Sequence, residues 1–222
     1  MPVKSYKSCQ VVGMEDDVFI ETGHKFLIEA PTKEEFDFQF QMEETITIHF
    51  ENVSFVSDGA IDVGRHGIAA FYRCQFTNGK HADVRTNFCE MDKTYLKKGT
   101  HKSRYSAIAG NKGSQITLNS CKFNSCKGSS IFVKGHKSLL YIKNCLIRKS
   151  SYSGVVVQNG TTFTAVNSEI SENGLYGIKV GLDCDVTIHG NSIDGNKIDG
   201  VFFGTVKNME KNRDKMIQAT IQ

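Results

Sequence analysis

Tryptophan is absent and proline occurs only twice in the 222 residues. So little proline leaves strands free to pair, because an interior proline removes a ladder hydrogen bond and is confined to edges and bulges. No stretch approaches the ~18 consecutive apolar residues of a membrane-spanning helix, so no membrane partner is expected. Met1 to Tyr6 lead into Glu15-Asp16-Asp17 rather than an apolar segment, and no secretory leader is expected there. The seven cysteines lack paired spacings, and an odd number cannot all pair. Free thiols in a reducing compartment, and hence a cytoplasmic location, are the expectation. The sequons at Asn52 and Asn159 would then go unused. A net charge of +3 is too small to imply a polyanion, and no specific nucleic-acid partner is expected.

Glycine, by contrast, is plentiful at 20, and 39% of residues are hydrophobic, enough to bury one core in one domain. Self-similarity decides how. The segments Val53-Ser54-Phe55, Cys74-Gln75-Phe76, Cys121-Lys122-Phe123, Cys145-Leu146-Ile147, Ser168-Glu169-Ile170 and Ser192-Ile193 end 21, 47, 24, 23 and 23 positions apart. The 47 reads as two repeats, with a degenerate coil near 86–110 whose strand is Ser106 to Gly110. Three positions after each anchor come Asp58, Gly79, Cys126, Ser150, Asn173 and Asn196, all small or polar turn formers. Gly154, Gly177 and Gly200 precede the aliphatic pairs Val155/Val157, Ile178/Val180 and Val201/Phe203. A second alternating set runs Ile48/Phe50, Ala69/Phe71, Ile116/Leu118, Leu140/Ile142, Phe163/Ala165 and Val186/Ile188.

Alternation at period two marks strands with one buried face. A unit of ~23 residues is too short for β-α-β, which needs about 30. Stacked copies would instead pair each strand in parallel with its copy one coil away. An antiparallel sandwich would want hairpin turns and no constant register. The expected fold is therefore all-β: a single-stranded right-handed parallel β-helix of about seven coils of roughly 21–24 residues. Residues 1–44 would cap one end, with Val18-Phe19-Ile20 and Phe26-Leu27-Ile28 as strands of an incomplete first coil and Phe36 to Phe40 closing it. Residues 45–204 would carry the coils, and 205–222 a helix or extended tail over the last one. Cys74, Cys121 and Cys145, in one column with Val53 and Ser168, read as small core fillers rather than ligands.

Ile170-Ser171-Glu172-Asn173-Gly174-Leu175-Tyr176-Gly177-Ile178 and Ile193-Asp194-Gly195-Asn196-Lys197-Ile198-Asp199-Gly200-Val201 look like successive copies of one consensus. The repeats resemble the parallel β-helix repeat of the pectate-lyase-like superfamily, over about residues 45–204. The resemblance implies carbohydrate-binding proteins, sugar hydrolases, lyases, epimerases and many non-enzymatic modules, so it is specific for fold and nearly silent on function. It also admits an acidic glycan as a partner. The polygalacturonase-like aspartates with Gly-His-Gly are missing, Gly64-Arg65-His66-Gly67 and Gly135-His136 being fragments only. The calcium-binding aspartates of the lyases are missing too.

The residues themselves suggest no catalytic set, no cofactor and no metal. The columns outside the Ile142 ladder, among them Thr117, Tyr141, Thr164 and Thr187, read as solvated strand residues, and show no facing carboxylates of the kind glycoside hydrolysis requires. Asp183, Asp185, Asp194 and Asp199 read as turn residues. Cys121 with Cys126, and Cys184 with His189, are near-misses for zinc. Two features stand out. Ile108, Phe132, Val156, Lys179 and Phe202 recur 24, 24, 23 and 23 positions apart as an outward, mostly apolar strip. Beside it run Gly110, Lys134, Gln158, Gly181 and Gly204. Such a strip is either covered by the chain's own termini or is an interface for a protein partner or a second copy. The other feature is basic and aromatic: Lys97, Lys98, Lys102 and Arg104 with Tyr95 and Tyr105, read as a solvated loop or a grip for an anionic partner. The leading functional expectation is a non-catalytic β-solenoid module that presents a flat sheet face. A carbohydrate-active protein is the first alternative and a component of a virus particle or other large assembly the second.

Overall fold

In the computed structural model of the protein, the described residues are 9–12, 19–22, 26–28, 46–57, 61–64, 67–78, 106–204 and 218–221. Their strands all pair in parallel, in three sheets of eight, six and seven. The first sheet holds Cys9–Val12, Ile46–Glu51, Gly67–Tyr72, Gln115–Asn119, Leu139–Lys143, Thr162–Val166, Asp185–His189 and Gln218–Ile221. The second holds Phe19–Thr22, Ser54–Ser57, Gln75–Asn78, Lys122–Asn124, Leu146–Arg148 and Glu169–Ser171. The third holds Phe26–Ile28, Ile61–Val63, Ile108–Gly110, Ile131–Lys134, Val155–Gln158, Tyr176–Val180 and Asp199–Phe203. The chain visits the sheets in turn, so the fold is a parallel β-solenoid. None of the described residues forms a helix long and apolar enough to cross a membrane.

The alternating residues become ladders along the axis. Ile48, Ala69, Ile116, Leu140, Phe163 and Val186 stack in register, as do Phe50, Phe71, Leu118, Ile142, Ala165 and Ile188. All are buried. Aromatic stacking extends these ladders. Phe50 lies 5.1 Å from Phe71, Phe55 lies 5.1 Å from Phe76, and Phe76 lies 4.4 Å from Phe123, each pair within 8° of parallel.

The Phe76–Phe123 contact corrects the expected reading of the 47-residue interval as two repeats. Gln75–Asn78 pairs directly with Lys122–Asn124, and Gly67–Tyr72 directly with Gln115–Asn119. The 47-residue interval is thus one repeat plus an insertion, not two coils. Among the described residues of the supposed degenerate coil, Ile108–Gly110 is the strand, and it joins the third sheet between Ile61–Val63 and Ile131–Lys134. The eight strands of the first sheet mark off seven turns, and the one from Gly67–Tyr72 to Gln115–Asn119 carries the insertion. At one end Phe19–Thr22 and Phe26–Ile28 pair with Ser54–Ser57 and Ile61–Val63. At the other, Gln218–Ile221 extends the first sheet beside Asp185–His189. The expected closing segment Phe36 to Phe40 and most of 205–222 lie outside the described residues.

Three devices keep the turns in step. Between the first and second sheets one residue per coil takes a left-handed conformation: Asn52, Arg73, Ser120, Asn144 and Asn167, at φ between 48° and 56°. Asparagine suits that region, whereas arginine is strained there. Between the second and third sheets, asparagines bond up the axis. Asn173 Oδ1 accepts from the Ser150 N–H at 3.0 Å, and Asn196 Oδ1 accepts from the Asn173 N–H at 3.0 Å. The glycine column answers to space rather than dihedral: a Cβ on Gly177 would lie 2.6 Å from both the Gly200 carbonyl oxygen and Ile193 Cγ2.

Gly177→Ala should therefore cost about 1–3 kcal/mol by overpacking. Arg73→Asn should add about 0.5 kcal/mol by relieving the left-handed strain. Urea denaturation midpoints check both, and midpoints equal to the parent's would overturn the reading of these turns.

Candidate functional site

Outside the core, each sheet has an outer face. On the third sheet, Phe132, Val156, Lys179 and Phe202 occupy one column, as their spacing suggests. Ile108 does not belong to it. Ile108 pairs with Ile131 and Ile61, points inward and is fully buried, and Ala109 takes its place beside Phe132. The slip is one residue, which on a strand reverses the face, and Gly110 accordingly pairs with inward Val133 instead of extending the Lys134–Gln158 column. Beyond Ala109 the column continues to buried Asp62, whose Oδ1 accepts a hydrogen bond from Asn111 Nδ2 at 2.8 Å.

The strip is not bare. Val156 is fully buried, Lys179 is 4% exposed and Phe132 8%. It is enclosed within the chain and offers no open docking surface over its middle rungs. Lys179 lies in apolar surroundings, flanked by Val156 and Phe202, with its amine 5.8 Å from the Tyr176 ring centroid. Tyr176 stacks on Phe202 at 4.7 Å. Burial lowers the Lys179 pKa from 10.5 to about 8. The basic aromatic set, Lys97, Lys98, Lys102, Arg104, Tyr95 and Tyr105, lies outside the described residues.

The first sheet carries the feature that sequence columns understate. Its outer central column runs His49, Ala70, Thr117, Tyr141, Thr164 and Thr187 across the six middle strands, without one aspartate, glutamate, lysine or arginine. At the usual strand spacing the eight-stranded sheet is about 34 Å long. Leu139 is 41% exposed and Tyr141 38%, side by side on its outer surface, and Val12 is exposed at its edge. His49 stacks on Tyr72 at 4.8 Å. Charge is confined to the flanking columns, at Glu51, Lys143 and His189 on one side and Asp185 on the other. The signal available in sequence was that run of uncharged residues at the repeat period, with tyrosine where threonine was the rule.

The second sheet's outer face holds paired carboxylates. Glu169 accepts from Ser171 Oγ at 2.9 Å, and Asp194 accepts from Ser192 Oγ at 3.0 Å. Glu169 bridges Ser192 on the next coil, and Asp194 lies two residues beyond Ser192, so the two carboxylates belong to adjacent coils. The columns beside the Ile142 ladder belong to another sheet and could not reveal this. Both carboxylate residues are exposed, and an ion pair of 3.7 Å joins Lys149 to Glu172 nearby. Cys121, Cys126 and Cys184 are free and buried, and among the described residues no three His, Cys, Asp or Glu converge as metal ligands would.

Three parallel sheets wound around one ladder core define a β-solenoid repeat protein. The family model described as "Right handed beta helix region" matches residues 8–193, and the chain belongs to that family. No curated protein and no solved structure matches the chain.

The buried amine has a measurable consequence. Above pH 10.5 Lys179 is neutral whether the chain is folded or not, and below about 8 folding must bury its charge. Between those values the unfolded chain binds more protons, so stability rises with pH across that window. Lys179→Met should stabilise the protein at pH 7 by on the order of 1 kcal/mol and flatten the rise. Denaturation at pH 7 and pH 10 checks it, and an undiminished pH dependence in the variant would sink the assignment.

Proposed function

We propose that this chain is a non-catalytic β-solenoid binding module whose working surface is the outer face of the first sheet. The observation that carries the reading is the six-strand column from His49 to Thr187 without ionic side chains, with Tyr141 exposed on it and Leu139 exposed beside it. Solvated sheet faces ordinarily alternate with charged residues. Interface centres are instead depleted in charge and enriched in tyrosine, with polar rims. Tyr141 in the central column, with Leu139 beside it and Glu51, Lys143, Asp185 and His189 in the flanking columns, follows that anatomy. A flat, rigid face suits a protein partner or a second copy of the chain, in the cytoplasm as the buried unpaired thiols suggest.

A photo-crosslinking residue at Thr164 should give a discrete adduct, either with itself or with one partner. Leu139→Asp with Tyr141→Asp should abolish that adduct while circular dichroism and the melting temperature stay unchanged. Persistence of the adduct in the double variant would refute the assignment.

A carbohydrate-active reading is the second, favoured by the Glu169–Asp194 pair. Inverting glycosidases hold their carboxyl groups about 6.5–9.5 Å apart and retaining ones about 5–5.5 Å. Glu169 and Asp194 on adjacent coils supply two such groups, and an acidic polysaccharide would be the substrate class. Exposure of both groups speaks against it, since the general acid of such a pair is kept protonated by burial. Reducing ends released from a panel of polysaccharides, and lost in Glu169→Gln, would move the balance to this reading.

A further inference from the structure

The turn between the first and second sheets stacks three cysteines on successive coils, and the three thiols repeat one set of contacts. Cys74 Sγ lies 3.3 Å from the Tyr72 carbonyl oxygen, Cys121 Sγ 3.5 Å from that of Asn119, and Cys145 Sγ 3.2 Å from that of Lys143. Each also reaches back one coil, to Phe50 O at 3.6 Å, Phe71 O at 3.3 Å and Leu118 O at 3.6 Å. Identical contacts mean identical rotamers, so the sulfurs are translated by one coil, about 4.8 Å, along the axis. The backbone keeps the same step: the Lys122 N–H bonds Cys74 O and the Leu146 N–H bonds Cys121 O, both at 2.9 Å. At the next coil Ser168 continues the pattern, with Oγ 3.0 Å from Val166 O and accepting from the Cys145 N–H at 3.1 Å. All three cysteines are at most 3% exposed.

We infer that this ladder is a redox-modification site in which Cys121 forms a disulfide with either Cys74 or Cys145 on exposure to a peroxide. A Cα separation of one coil falls within the roughly 4.4–6.8 Å that disulfides span, and side-chain rotation closes the remaining gap between sulfurs. One thiolate attacks hydrogen peroxide and breaks its O–O bond, and with the proton released when the thiol ionised this gives a sulfenic acid and one water. The neighbouring thiolate then displaces the sulfenic oxygen as a second water, forming the S–S bond. Two thiols are oxidised and one peroxide is reduced. Because Cys121 is common to both pairs, only one disulfide exists at a time. The third cysteine then lies in line to attack the central sulfur, so the bond can pass from one pair to the other by thiol–disulfide exchange. The electrostatics of the ladder favour its outer members as thiolates. The neighbouring Cys121 thiol lowers both Cys74 and Cys145, whereas burial raises Cys121 itself. Cys126 and Cys184 stand apart, each without a cysteine in hydrogen-bonding contact.

The test uses the full chain, reduced, treated with hydrogen peroxide, alkylated and mapped by mass spectrometry without reduction. The expected result is the loss of two thiols per chain, a linkage of Cys121 to Cys74 or Cys145, free Cys126 and Cys184, and reversal by dithiothreitol. Cys74→Ser should leave only the Cys121–Cys145 bond, Cys145→Ser only Cys74–Cys121, and Cys121→Ser neither. Where Cys121→Ser fails to fold, the two outer variants decide alone. An unchanged thiol count, linkages through Cys126 or Cys184, or single-thiol oxidation without a linkage would each overturn the proposal.

Discussion

Backbone hydrogen bonds between successive coils hold this molecule, and they persist through the bends as well as along the strands. The left-handed residues show it: the N–H groups of Asn52, Arg73, Ser120, Asn144 and Asn167 bond the carbonyls of Tyr72, Asn119, Lys143, Val166 and His189 at 3.0 Å each. A ladder unbroken at a corner requires every coil to turn at the same place with the same dihedrals. Arg73 and Ser120 therefore adopt a conformation that their own side chains disfavour. The asparagine ladder and the glycine column answer the same demand, one by supplying acceptors to N–H groups that leave the sheets, the other by letting backbones approach.

The same constraint explains how the chain accommodates extra length. Additional residues cannot be absorbed within a paired strand without breaking pairing above and below, and the extra length falls between two strands that keep their register, Gln75–Asn78 and Ile108–Gly110. Inward residues answer to the ladder. Outward residues are free of it, which is why the three outer faces differ in character around one uniform core. One is apolar and enclosed with a buried amine, one is uncharged and open, and one bears serine-held carboxylates.

Buried small residues at the first corner illustrate a further consequence. A position that must be small and must repeat brings like side chains together whatever their chemistry. Valine, cysteine, serine and asparagine all fit, at Val53, Cys74, Cys121, Cys145, Ser168 and Asn191. Where three neighbours are thiols, proximity alone creates chemistry that no single cysteine would possess.

Period and alternation were legible in the residues alone: which side chains enter the core, which columns stack, and that asparagine and glycine belong at the corners. These follow from local rules, since a strand alternates at period two and a stacked coil repeats its own pattern. Whether the interval from Phe76 to Phe123 held one coil or two was not legible, because two repeats and one repeat with an insertion have equal length. Only the pairing of Gln75–Asn78 with Lys122–Asn124 decided it. The inward side of Ile108, the enclosure of Val156, the exposure of Leu139 and Tyr141, and the placing of Glu169 and Asp194 on adjacent coils were likewise settled in three dimensions. Each depends on what lies across a sheet or over its face, and residues distant in sequence set that without leaving any mark on the local pattern.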